Sequence, residues 1–173
     1  MDRNIVTNIV ILILLVVVQV LICNHIMLFN AAMAFVFIYV IIRLPMDLSP
    51  SWLYTWAFFS GLVVDLFSDT PGVNSLACTL LAAVKRPCLF AYIPRDDRTK
   101  NIEPSMGSLG FAVYGKYLFS MSAIYSLLAF SIEYFNFADV KEIIIMSAAS
   151  AILTFLILLG VDSLIVTQRE KRL

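Results

Sequence analysis

Asp65 is the residue most able to do chemistry. It sits in Gly61 to Asn74, GLVVDLFSDTPGVN, flanked by Val63, Val64, Leu66 and Phe67. A carboxylate in such a run costs about 2.5 to 3.5 kcal/mol at the centre of a lipid-embedded helix, and less towards its ends. That cost calls for a partner or a task. Three tasks fit the residue. It could cap or tie the turn that follows, through backbone N–H groups near Gly72 or the side chain of Asn74. It could shape a recognition element for another membrane protein. It could carry a proton or a substrate, but such relays usually use several acids or histidines, and only Lys116 and Asp162 are available as companions.

Asp162 and the basic cluster Arg169 to Arg172 read as an interfacial anchor. Lys116 reads as a side chain that snorkels to the surface, with a pairing to Asp162 as the alternative. A membrane-embedded aspartyl pair would need its two acids within a few ångströms, sharing a proton. The topology below puts Asp65 and Asp162 at opposite faces. No HExxH, GxSxG or phosphate-cradling glycine loop occurs, so the expectation is a non-enzyme. Cys23, Cys78 and Cys88 lie in or beside apolar runs, without CxxC or Cys/His spacing, and His25 is the single histidine. Free apolar thiols, with no zinc site, disulfide or cofactor, are expected.

These residues need elements to position them, and composition indicates which. Of 173 residues 61% are hydrophobic and 14% charged, with mean hydropathy +0.93. Soluble domains sit near about 45–50% apolar and about 25% charged. The excess is too large for one core in a chain of this length, and an all-α polytopic membrane protein in a single domain is the simple reading. The net charge of zero suggests no nucleic-acid partner.

Six apolar runs predict helices at about 5–22, 26–42, 52–67, 73–93, 109–132 and 143–166. The first is longer than the apolar part of a signal peptide, lacks a small-x-small cleavage site and is followed by further runs. Trp52, Tyr54 and Trp56 open the third, as aromatics do at a membrane interface. Asp69, Thr70, Pro71 and Gly72 supply turn chemistry between the third and fourth. The fourth is interrupted by Lys85-Arg86-Pro87, which predicts a kinked helix with its basic end near the surface. The small residues Gly110, Gly115 and Ser120, and the stripe Ser147 to Ala151, read as close-packing faces.

Loop charges give the orientation. With both termini in the cytoplasm, Arg3, Arg43, Arg95, Arg98, Lys100, Arg169, Lys171 and Arg172 all fall inside, and the outer loops carry only Lys141. Asp65 then lies near the outer surface and Asp162 near the cytoplasm.

The stretch GLVVDLFSDTPGVNSLA resembles the pattern G-L-x-x-D-x-x-S-x-x-x-G-x-N-x-L-A of the MreD family of rod shape-determining proteins, with Gly61, Asp65, Gly72 and Asn74 at matching positions. Length, six runs, short loops and a basic tail are similar in kind, so the resemblance covers essentially the whole chain. MDRNIVTNIV and QVLICNHIMLF look like versions from the Bacteroidota. The resemblance implies a non-catalytic scaffold in the cytoplasmic membrane, part of the complex that elongates the cell wall. Its implied partners are MreC, through it MreB, an elongation glycosyltransferase, a class B penicillin-binding transpeptidase and membrane lipid. It also implies a fold like the substrate-binding subunits of energy-coupling vitamin transporters, which makes a vitamin-like binding subunit of a transporter the alternative function. The Lys85-Arg86-Pro87 break is the point where the chain departs from a plain run.

Overall fold

The computed structural model describes residues 14–20, 32–93, 103–135 and 139–170, with side chains as far as residue 163. Their regular secondary structure is helical, with no strand among them. Residues 14–20 are helical and lie against the core. The elements that follow are α1 (Ile38–Arg43), α2 (Pro50–Ser68), α3 (Val73–Tyr92), α4 (Met106–Leu109), α5 (Phe111–Glu133) and α6 (Val140–Glu170). The main packing pairs are α2 with α3, α3 with α5, and α5 with α6.

Two helices, Val73–Tyr92 and Val140–Ser163, are long and apolar enough to cross a membrane. The distribution of side chains says more than the lengths. Phe58, Phe59, Leu66 and Phe67 on α2 are exposed, as are Phe119 and Leu127 on α5 and Ile144, Ile145, Ile152 and Leu156 on α6. The polar residues of the same helices point inward: Ser60 and Asp65, Ser122 and Ser126, Ser147, Ser150, Thr154 and Asp162 are all buried. Water-soluble helices show the reverse. Apolar outside and polar inside is the arrangement for which lipid is the better solvent.

The second apolar run differs from expectation. In its described part, residues 33–35 are not helical, and α1 is only six residues long. The expected continuous helix over 26–42 is therefore broken. The physical reason lies in the partners of its backbone. Met33 N donates to Ser150 Oγ at 2.9 Å and Phe35 N to Thr154 Oγ1 at 3.0 Å. Val36 N donates to Gln19 Oε1 at 2.8 Å, while Gln19 Nε2 returns a bond to Ala34 O at 2.9 Å. Side chains thus supply what helical carbonyls otherwise would, so non-helical backbone can lie deep inside the protein. The Ser147 to Ala151 stripe accordingly does more than pack, because its Ser150 hydroxyl holds this segment. Phe35 and Phe37 meet the Tyr125 ring edge-on at 5.0 and 5.7 Å, which puts the broken run at the centre of the core.

The basic pair also differs. Lys85 is fully buried rather than near the surface; α3 itself runs through Pro87 to Tyr92. Lys85 Nζ donates to Leu44 O at 2.5 Å, and Arg86 Nη2 to Leu48 O at 2.5 Å and Met46 O at 3.0 Å. Both cations serve carbonyls at and beyond the end of α1, where a helix leaves acceptors unmet and its dipole favours positive charge.

Candidate functional site

The turn between α2 and α3 brings the four motif residues together. α2 ends at Asp69, whose φ of 52° is left-handed, and α3 starts from Gly72, with φ of 87°. Glycine takes such a φ without the steric penalty of a Cβ. The two reversals fold α3 back along α2. Gly61 then permits their close approach: a Cβ on it would stand 2.5 Å from Asn74 O and 2.6 Å from Ser75 Cα. Those neighbours are backbone and cannot swing aside.

That approach places the first turn of α3 against Asp65. One carboxylate oxygen, Oδ1, accepts from Asn74 N at 2.9 Å, Asn74 Nδ2 at 3.0 Å and Thr70 Oγ1 at 3.1 Å. The other, Oδ2, accepts from Ser75 N at 2.9 Å and from the Ser75 hydroxyl. A carboxylate from one helix thus caps the N-terminus of the next, where unpaired N–H groups and the helix dipole both favour negative charge. Asn74 passes the network inward, since its Oδ1 accepts from Tyr125 OH on α5 at 2.6 Å. The cost of burying Asp65 is offset by five donors, and the geometry is that of a tied turn. Sequence reasoning missed Thr70, Ser75 and Tyr125. Thr70 and Ser75 flank Gly72 and Asn74 closely enough to have been read as donors, while Tyr125 has no local signal.

Beside the turn is a cleft of about 250 Å³. Its walls include Gln19, Phe35 from the broken run, Phe67 and Asp69 at the end of α2, Asn74, and Glu133 at the end of α5.

Asp162 forms a separate cluster at the other end of the broken run. It is fully buried, which overturns its reading as an interfacial anchor. Its Oδ1 accepts from Tyr39 OH at 2.6 Å and lies 3.8 Å from Arg43 Nη1; its Oδ2 accepts from Met106 N at 2.8 Å. Arg43 Nη1 also donates to Tyr39 OH at 2.7 Å. The charge partner is therefore Arg43, not Lys116, which is exposed. Among the described residues Asp65 and Asp162 share no hydrogen-bond partner. His25, Asn24 and Asn30 lie outside the described residues.

No protein-family model, no curated protein and no solved structure matches this chain.

Proposed function

We propose that the chain is a non-catalytic, multi-pass scaffold of the cytoplasmic membrane, with both termini inside, that takes part in cell-wall elongation as MreD proteins do. One observation carries the reading. Gly61, Asp65, Gly72 and Asn74, the positions that match the family pattern, meet in one hairpin turn through close approach, left-handed backbone and hydrogen bonds. They hold a shape; none of them offers a free reactive group. Such a turn presents a fixed outer surface near the membrane face, which suits docking of a membrane-spanning partner such as MreC. The outward apolar faces of α2, α5 and α6 suit a lipid environment.

The test is photocrosslinking in cells from positions that neighbour the turn without building it: Leu66, Pro71 and Leu76, all exposed. Captured proteins are identified by mass spectrometry. MreC or a wall synthase is the expected catch. Capture of a transporter's energising subunit, or of lipid alone, would overturn the reading.

A further inference from the structure

The cleft beside the turn has a chemistry that the scaffold reading does not use. Among the described residues that line it are two carboxylates, Asp69 and Glu133, and no Lys, Arg or His. Among the described residues neither acid is ion-paired; the single pair is Arg43 with Asp162. Asp65, close by, is already saturated with donors and adds its charge behind the wall. The remaining walls are apolar and include two phenyl groups, Phe35 and Phe67. The neutral polar residues among its described lining, Gln19, Ser68, Thr70 and Asn74, all have partners already.

These features together select among ligands. One sign of charge over low-dielectric walls concentrates counter-ions. Aromatic faces attract ammonium groups, and more so when desolvated. An anion would meet two acids, and a neutral polar molecule would find the amide and hydroxyl groups engaged. The volume of about 250 Å³ lies just under the usual range for drug-sized ligands, so the occupant is small. We propose that this cleft is a binding site for an ammonium group on a short apolar body. The ammonium can come from a soluble amine or from the amino headgroup of a neighbouring lipid. The proposal stands independently of the scaffold reading, because it concerns the cleft's own charge and not the partner of the hairpin.

The test uses the full chain in bilayer nanodiscs and follows its thermal midpoint. Butylammonium, butan-1-ol and butyrate share a stem and differ in the head. In phosphatidylglycerol discs, which contain no ammonium, butylammonium in the millimolar range should raise the midpoint saturably by mass action. The alcohol and the acid should not. The double variant Asp69→Asn with Glu133→Gln should weaken the butylammonium response by about tenfold in apparent affinity. Both side chains are exposed, and Asn tolerates the left-handed backbone at position 69, so the variant keeps its fold. Repeating the titration in phosphatidylethanolamine discs separates the sources. A response that persists identifies a soluble amine, and one that disappears in the wild type identifies the lipid headgroup. No rise in phosphatidylglycerol discs, an equal rise with butan-1-ol, or an undiminished rise in the double variant would overturn the proposal.

Discussion

Removing the carboxylate of Asp65 should loosen the α2–α3 hairpin by an amount that follows from its partners. In Asp65→Ala the backbone N–H groups of Asn74 and Ser75 lose their acceptor. The site is buried, so water cannot simply replace it. An orphaned buried donor costs about 1–3 kcal/mol, and loss of a helix cap costs about 0.5–2 kcal/mol. The two figures describe overlapping losses. The two orphaned N–H groups alone therefore set the expectation at about 2–6 kcal/mol, a large share of a typical stability of about 5–15 kcal/mol. Asp65→Asn should fall between: its amide oxygen can keep one N–H, while its NH₂ group faces donors. Both tryptophans, Trp52 and Trp56, lie on α2, so their fluorescence reports the helix whose far end is tied by Asp65. Equilibrium unfolding in mixed detergent micelles, followed by that fluorescence, gives the three stabilities. A loss below about 1 kcal/mol in Asp65→Ala would refute the argument, because two desolvated N–H groups cannot be abandoned so cheaply. So would an Asn variant weaker than the Ala variant, since it would mean that the acceptor oxygens are not what matters.

Gly61→Ala should cost about 1–3 kcal/mol or more through overpacking against backbone, whereas Gly115→Ala, whose added Cβ meets nothing within 4 Å, should be neutral or gain up to about 1 kcal/mol of helix propensity; the same unfolding assay ranks them, and equal effects would remove close approach as the reason for Gly61. Thr154→Val keeps the shape but removes the acceptor of Phe35 N, so hydrogen exchange at Phe35 should quicken while amides within α3 stay protected. Lys85→Met forfeits one bond to Leu44 O but spares an ammonium its desolvation, so stability should change by less than about 1 kcal/mol; Lys85→Glu should fail to fold, which expression of full-length folded protein would disprove. Asp162→Asn should cost about 2–4 kcal/mol, since it leaves Arg43 beside an uncharged group, and the loss should shrink when Arg43→Gln is added in a double-mutant cycle.

Much of the hairpin could be read in the sequence because its determinants are local. Asp65 stood out by its cost in an apolar run, and Pro71 and Gly72 by their turn chemistry. The role of Gly61 was not legible in physical terms, because the atoms it accommodates belong to Asn74 and Ser75, thirteen and fourteen positions along. The broken second run was the larger miss. Hydropathy reports that residues 26–42 are apolar, but not whether their backbone bonds are made within the segment or by Gln19, Ser150 and Thr154, up to 119 positions away. Inward hydroxyls on a late helix are ambiguous in the same way: Ser147 to Ala151 has the composition of a packing face, and only the partner shows that Ser150 is also an acceptor.

The broken run explains why two sets of polar residues are buried at all. Its upper part takes side-chain acceptors from Gln19, Ser150 and Thr154. Its lower part is held by Tyr39 and Arg43 on Asp162, by Lys85 on Leu44 O and, more loosely, by Tyr117 OH on Ile42 O at 3.4 Å. A helix satisfies its own interior backbone and needs few such contacts. A segment that abandons the helix needs acceptors and donors from its neighbours; α6 supplies them at both ends, with Gln19 at one and α3 and α5 at the other. Asp65 belongs to the same logic, since it serves the start of α3 rather than its own helix. The polar residues of this chain are therefore read best as partners of interrupted backbone. Among the described residues the exceptions are Tyr114 OH, Ser122 Oγ and Ser126 Oγ, which are buried without a hydrogen-bond partner, and the two cleft carboxylates, Asp69 and Glu133, which are not ion-paired.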